Sequence, residues 1–312
     1  MKGTGTLTDP YVIMTAEDLY SMETLGGADV HCRLGADIDF NGTPYAADFV
    51  PIPVNWSSFD GDGHKIRNIH ISDPTNRVHA LRVMVAGEIS ITGLFLENAV
   101  ISGSVVTLFM ADSGIYSTIK LWDCSFMLKV SHTSSSIIAG EGCLLHGSGL
   151  TITAELCVIS VSLIYNRGYA VFNGDTIRKS QIIIDITIYN AGDTSVHETS
   201  LFRDSTVSDS WITGVINCIT SNGAAGSYHM TDFNCRFANS YQAVEMKNLF
   251  AVYWSNTFSS VCFYNNDLMC GAEYRSRESM SNKFYGLTTE QCKDPEYLTS
   301  IGFICGDERN GI

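Results

Sequence analysis

Charge, proline and long apolar runs are all scarce in this chain. Only 17% of its 312 residues are charged, against roughly 25% in an average globular protein, so Ser, Thr, Asn, Gly and aromatic residues must cover much of the surface. The charges it has are unbalanced, with 19 Lys and Arg against 33 Asp and Glu and a formal net charge of −14. A nucleic-acid-binding protein needs cations to displace counterions from phosphate, and at this charge repulsion opposes encounter with nucleic acid or an anionic membrane. No window approaches the roughly 20 apolar residues of a membrane helix. The opening Met1-Lys2-Gly3-Thr4-Gly5-Thr6 has no apolar export core, so the expectation is a chain made in the cytoplasm without membrane insertion.

Six prolines, four of them before residue 54, leave only Pro74 between Phe59 and Phe284. Ten cysteines run from Cys32 to Cys305 without a C-x-x-C pair. Cys124, Cys157, Cys218 and Cys262 sit inside apolar runs, so they read as small buried hydrophobes, with no metal, cofactor or disulfide framework.

What fills the centre is a succession of short β-branched runs: Ile89-Ser90-Ile91-Thr92, Val105-Val106-Thr107-Leu108-Phe109, Ile182-Ile183-Ile184-Asp185-Ile186-Thr187-Ile188 and Trp211-Ile212-Thr213-Gly214-Val215-Ile216. Gly, Asn, Asp and Ser interrupt them every few residues, the pattern of many short strands joined by tight turns. A small unit recurs, in which Asp, Asn or Lys is followed by a small residue, any residue and a large apolar one. It stands at Asn98-Ala99-Val100-Ile101, Asp123-Cys124-Ser125-Phe126, Lys179-Ser180-Gln181-Ile182, Asp204-Ser205-Thr206-Val207 and Asn234-Cys235-Arg236-Phe237. The long interval between Asp123 and Lys179 leaves room for a further unit, for which Leu150-Thr151-Ile152-Thr153 is the candidate.

Repeats of this length are those of solenoids. A coil of two or three short strands buries its inward residues only when other coils lie above and below it. The small residue suits an interior corner, and the apolar residue two positions later fills the lumen. The expected fold is therefore all-β, a single right-handed parallel β-helix over 59–285, with an N-terminal cap and first coils at 1–58 and a C-terminal cap at 286–312. Solenoid ends must be covered. Thr15-Ala16-Glu17-Asp18, followed by Leu19, Tyr20, Met22 and Leu25 and stopped by Gly26-Gly27, predicts a capping helix over the first coil. Thr288-Thr289-Glu290-Gln291-Cys292 predicts a second short helix, broken at Pro295, with a last strand at Ile301-Gly302-Phe303-Ile304.

The opening Gly3-Thr4-Gly5-Thr6-Leu7-Thr8-Asp9-Pro10-Tyr11-Val12-Ile13, the segment Leu34-Gly35-Ala36-Asp37-Ile38-Asp39-Phe40 and the segment Phe59-Asp60-Gly61-Asp62-Gly63-His64-Lys65-Ile66-Arg67-Asn68-Ile69 resemble bacterial and phage β-helix proteins of the GLUG-repeat type. The tail Leu287-Thr288-Thr289-Glu290-Gln291-Cys292-Lys293-Asp294-Pro295 is similar to the segment that closes them. The middle lacks clean G-L-x-G repeats, with Gly93-Leu94-Phe95-Leu96-Glu97-Asn98 the nearest match. The resemblance implies a phage or prophage member, assembled in the host cytoplasm into a virion as a tail-spike or decoration component. A bacterial surface adhesin is the alternative.

Candidate chemistry is sparse. Asp60, Gly61, Asp62, Gly63 and His64 group two carboxylates and an imidazole, but Lys65 and Arg67 follow where an EF-hand needs oxygen ligands. The cluster reads as a turn, with Gly61 and Gly63 at positive φ, Asp60 and Asp62 bonding nearby amides and Phe59 inward. β-helix polysaccharide hydrolases set two acids ~6.5–9.5 Å apart. Asp123, Asp185, Asp204, Asp209 and Glu245 lie in or beside strands, and Asp204 with Asp209 is the catalytic pair to test first. No Gly-x-Ser-x-Gly elbow or nucleotide loop is present, and no site marks the chain as an enzyme.

Aromatic residues crowd the C-terminal third, where Tyr253, Trp254 and Tyr264 are the candidates for binding a sugar face or a partner subunit. An apolar exterior of this kind suits a homotrimer. The functional expectation is adhesion to a host cell-surface glycan or to neighbouring virion proteins, with a glycan depolymerase as the alternative.

Overall fold

The structure is a computed structural model that describes residues 1–46, 49–132, 144–147, 149–165, 170–190, 197–220, 228–247, 251–258, 262–269, 273–276 and 284–302. The chain forms two compact units, one of Met1–Ser134 with Ile138–Ser162 and one of Ser135–Ile137 with Leu163–Ile312. The division falls inside the span 59–285. Each unit is a parallel β-helix.

In the first unit, Tyr11–Ile13, His31–Leu34, Ser58–Asp60, Gly87–Thr92, Ser117–Trp122 and Leu150–Glu155 follow one another in one parallel sheet. Alternation is complete in Ser117–Trp122, and the register places Ile89, Ile119 and Ile152 in a column. All three are 0% exposed. Each apolar side chain so enclosed contributes about 1.5–3 kcal/mol, which is why the coils hold only as a stack. In the second unit, Ile182 stands over Ile212, and the Phe172 and Phe202 rings stack at 5.0 Å.

Corners between strands are made by residues in the left-handed region. In the first unit Asn68, Asn98, Asp123 and Leu156 have φ of 61°, 54°, 51° and 56°; in the second Lys179, Asp204, Asp209 and Asn239 have φ of 46°, 50°, 50° and 45°. Asn and Asp tolerate this region because their short side chains bond locally. The next residue turns inward and must be small or apolar: Cys124 and Cys157 in the first unit, and Ser180, Ser210 and Ser240 in the second, are all 2% exposed or less. The buried hydroxyls are satisfied by backbone, as where Ser180 Oγ donates to the Arg178 carbonyl at 2.6 Å and Ser210 Oγ to that of Ser208 at 2.7 Å.

The corners correct the repeat read from sequence in two ways. The unit between Asp123 and Lys179 is Leu156-Cys157-Val158-Ile159, while Leu150-Thr151-Ile152-Thr153 is sheet strand. The recurring units also belong to different corners: Asn98 stacks on Asn68, whereas Asp123 faces the coil of Leu156 through its N–H to the Glu155 carbonyl.

The buried thiols fit the cysteine reading at Cys32, Cys124, Cys157, Cys235 and Cys292. Burial pushes the Cys32 thiol up to about 12. The side chains of Cys218 and Cys262 lie outside the described residues.

The N-terminal cap is the helix Ala16–Leu25, with Thr15 accepting from the Asp18 N–H at 3.2 Å. It buries Ala16, Leu19 and Met22 and meets the first coil where Cys32 Sγ lies 3.9 Å from Met22 Sδ. At the C-terminus Thr288 starts the helix Thr289–Cys292 through a full capping box. Pro295 then begins a second helix, Pro295–Ser300, instead of only ending the first, because Asp294 caps it and Pro at the first helical position lacks only a donor that has no partner there. Ile301 and Gly302 form the turn that closes it, not a strand; Phe303 and Ile304 lie outside the described residues.

Candidate functional site

The first unit contains a break in its second sheet. Ile38–Asp39 pairs with Ile66–Arg67, and Ile52–Val54 pairs with Leu81–Val83. Between those two pairings the chain leaves the sheet through a turn closed by the Thr43 N–H on the Phe40 carbonyl and a 3₁₀ helix at Pro44–Ala46. Among the described residues, the strand His70–Val83 consequently has a strand neighbour on one side only from His70 to Ala80, namely Phe95–Ala111. That strand also bulges between Asp73 and Arg77.

Asp73 holds the bulge. Its Oδ1 accepts from the N–H and hydroxyl of Thr75 at 3.1 and 2.8 Å and from the Asn76 N–H at 3.1 Å, and its Oδ2 accepts from the Asn76 amide at 2.8 Å. These bonds, those of the Asn76 and Thr75 side chains foremost, hold its carboxyl down at about 2. It is an anion already engaged by its own turn.

Loop and bulged strand enclose a cleft of about 430 Å³, within the ~300–1,000 Å³ of small-molecule sites. Ala46, Phe49, Val50 and Pro51 form one wall; His70, Asp73, Arg77 and His79 line the other, with Ile71 and Val78 between. The apolar wall is fixed from behind. Phe49 packs on Phe40 with ring centroids 5.5 Å apart, Phe40 meets Tyr20 edge-on at 6.4 Å, and the Tyr20 hydroxyl donates to the Val50 carbonyl at 2.5 Å. The capping helix thus anchors the loop as well as covering the coil.

His79 is half-buried, and its Nε2 is enclosed without a hydrogen-bond partner. Burial, and after it the nearby Arg82, depresses its pKa against the opposing pull of Asp112, so the imidazole is neutral at neutral pH. Arg82 is itself engaged, with Nε and Nη2 on the two Asp112 oxygens at 2.8 and 2.9 Å and Nη1 on Glu23 at 3.2 Å. The cleft sets the apolar residues Phe49, Val50 and Pro51 among the polar side chains of His70, Arg77 and His79.

The Asp60–His64 cluster is a turn, as expected, with one correction. Asp62 and Gly63 carry the positive φ, 47° and 79°, and the His64 N–H closes the turn on the Gly61 carbonyl at 2.8 Å. Gly61 is needed for close approach, since a Cβ there would lie 1.8 Å from the Gly93 carbonyl oxygen. Asp60 bonds the Asp62 N–H at 2.9 Å, while Asp62 pairs with Arg33 at 2.8 Å. His64 turns to Asp37 at 3.2 Å. Among the described residues no three His, Cys, Asp or Glu come together as a metal site.

The acidic candidates are placed at corners. Asp123, Asp204 and Asp209 all have φ near +50°. Asp204 and Asp209 flank the three-residue strand Thr206–Ser208, a span of roughly 13–16 Å at ~3.3 Å per residue, so the structure does not bring them together. Asp209 Oδ1 accepts from the Asn239 amide at 2.9 Å. Asp185 and Glu245 share an outward column, each in register with Val215 between them, which sets their backbones about 9.6 Å apart at ~4.8 Å per coil. Tyr253, Trp254 and Tyr264 lie on strands whose side chains fall outside the described residues.

Sequence reading missed the cleft residues Phe49, Arg77 and His79. The one signal available was Asp73-Pro74-Thr75-Asn76, a turn sequence inside an otherwise strand-like run.

No protein-family model matches the chain, and no curated protein sequence matches it. A solved structure of a Bacteroides ovatus protein provisionally named an immunoglobulin A1 protease is similar over 96% of this chain and 88% of its own, at 19% identity and a TM-score of 0.34. A likeness at that level carries no argument about this chain.

Proposed function

We propose that this protein is a β-helical recognition component of a phage-like virion, adhering to a glycan of the host surface or to neighbouring virion proteins. The observation that supports it is the cleft on the first unit, an amphipathic recess set on stacked coils and braced by the Tyr20 to Val50 bond. The coil strand behind the recess and the Tyr20 brace on its loop wall hold parts of the recess in place before binding, which lowers the ordering cost. Virion localisation follows the GLUG-type resemblance of the two ends, and a homotrimer is part of the same reading.

The test is retention of the purified protein on immobilised host surface polysaccharide, followed by assay of the polysaccharide for new reducing ends or unsaturated uronate. Retention without new ends is expected. Failure to bind polysaccharide, cells or virion proteins would overturn the reading, and light scattering that returns only a 34.1 kDa species would remove the trimer.

The Asp185 and Glu245 column favours a second reading, a depolymerase. Their backbone spacing is close to the ~6.5–9.5 Å that inverting hydrolases keep between carboxyls. New reducing ends that disappear in Asp185→Asn would establish it in place of the first.

A further inference from the structure

We infer that the outer face of the strand Ser117–Trp122, with Tyr116 before it, binds a neutral oligosaccharide that lies along the strand with one sugar ring on Tyr116 and another on Trp122. The inference rests on the glycan-recognition reading and gives that reading a ligand class and a surface that shares no residue with the cleft.

Tyr116, Thr118, Lys120 and Trp122 are the outward positions of one stretch of chain. Ser117, Ile119 and Leu121 alternate with them and are buried. Tyr116 already belongs to the ladder, since the Gly87 N–H donates to its carbonyl at 3.1 Å and the Ser117 N–H donates to the Gly149 carbonyl at 3.0 Å. The two rings therefore stand at the ends of one outward row, ~20 Å apart at ~3.3 Å per residue. They are 74% and 46% exposed, and register accounts for the difference. Ser117 pairs with Gly87 and Leu150, so Tyr116 stands between Ala86 and Gly149, which have almost no side chain to lay over its ring. A Cβ on Gly149 would lie 2.7 Å from the Ile115 carbonyl oxygen, which keeps that position bare. Trp122 stands between Thr92 and Glu155.

Exposed rings suit a protein partner or a sugar, and their spacing decides between the two. A protein interface is built around a contiguous apolar core. Here Thr118 and Lys120 separate the rings, and the flanking coils set Ser90, Thr92, Thr151 and Thr153 beside them. An oligosaccharide repeats that pattern, because each pyranose offers a C–H face to an aromatic ring and hydroxyls to polar neighbours. Charge sets the class of sugar. Lys120, the cation among the outward residues of these three strands, pairs with Glu88 at 2.6 Å, and Glu155 adds a second carboxylate. In a chain of net charge −14 such a face repels an acidic glycan and accepts a neutral one.

The experiment uses the full chain on an array of neutral and acidic oligosaccharides of graded length, and follows the strongest neutral binder by calorimetry. The wild type is expected to bind a neutral oligosaccharide long enough to span both rings at least about tenfold more tightly than the disaccharide of the same sugar. Trp122→Ala and Tyr116→Ala are each expected to weaken the long oligosaccharide about five- to tenfold, and Trp122→Phe to regain part of the loss. In Tyr116→Ala the advantage of length is expected to shrink, the signature of two rings on one ligand. Both side chains are exposed, so the urea midpoints of the variants are expected to match the wild type. A preference for acidic over neutral oligosaccharides, long-oligosaccharide binding unchanged in both alanine variants, or a wild type that binds no oligosaccharide on the array would each overturn the inference. Host polysaccharide retained equally by the wild type and both alanine variants removes this surface and leaves glycan recognition standing. Binding of neither polysaccharide nor oligosaccharide removes both.

Discussion

Asn98 donates its side-chain amide to Asn68 Oδ1 at 2.7 Å, and Asn68 in turn donates to Asp39 Oδ1 one coil earlier, also at 2.7 Å. The three residues stand one coil apart, 30 and 29 positions along the chain. One side chain therefore does two things, tolerating the left-handed corner and tying its coil to both neighbours. Asn68→Ala loses both and is expected to cost about 1–3 kcal/mol, whereas Asn68→Gly keeps the backbone freedom and loses only the bonds, about 1 kcal/mol. Urea unfolding followed by hydrogen exchange in the first unit would rank the two variants.

Gly61 and Gly63 stand two residues apart and answer to different constraints. A Cβ on Gly61 meets the Gly93 carbonyl oxygen at 1.8 Å, whereas at Gly63 nothing lies within 4 Å and only φ of +79° opposes a side chain. Gly61→Ala is expected to displace the adjacent coil and cost about 3 kcal/mol or more. Gly63→Ala is expected to cost about 1–2 kcal/mol. Thermal unfolding of the two variants would show the difference directly.

Leu156 occupies a left-handed corner at φ 56° with 36% of its surface exposed. A γ-branched side chain gains nothing there. Leu156→Asn is expected to stabilise the first unit by about 0.5–1.5 kcal/mol, by easing the backbone and by offering an amide to Asp123 on the facing coil. A lower midpoint in urea would count against the corner assignment.

His132 is 4% exposed, and burial holds its pKa down at about 4 against the ordinary 6.5. The unfolded chain therefore binds a proton between those values that the folded chain refuses. The associated stability is complete above pH 6.5 and is lost as pH falls toward 4, by at most roughly 3 kcal/mol at ~1.36 kcal/mol per unit. A pH series of unfolding midpoints is expected to fall through this window in the wild type and to flatten in His132→Gln.

The fold was legible because corner chemistry is written in residue types. Asp123-Cys124-Ser125-Phe126 and Lys179-Ser180-Gln181-Ile182 each contain a left-handed corner, a small buried residue and a lumen filler. Leu156 escaped because only its backbone, not its side chain, is suited to the corner. The register between coils was harder to read, since units from different corners look alike and only hydrogen bonds such as that of Asn98 to Asn68 assign them. The cleft was out of reach for a related reason. Phe49 and His79 line one cleft because the described residues between the Ile38–Asp39 and Ile52–Val54 pairings lie outside the sheet, a consequence of register that composition does not carry. Pro295 shows a local ambiguity of another kind, since the same residue ends one helix and begins the next, and the Asp294 cap decides between them.

The account depends on coils stacked in parallel and in register. Glu88 and Thr118 are both exposed and face each other across that stack, with backbones about 4.8 Å apart. Nitroxides introduced at these two positions through a bio-orthogonal amino acid are expected to give strong dipolar broadening in the continuous-wave electron paramagnetic resonance spectrum. A spectrum equal to the sum of the two singly labelled proteins would contradict the stacked coils and everything built on them.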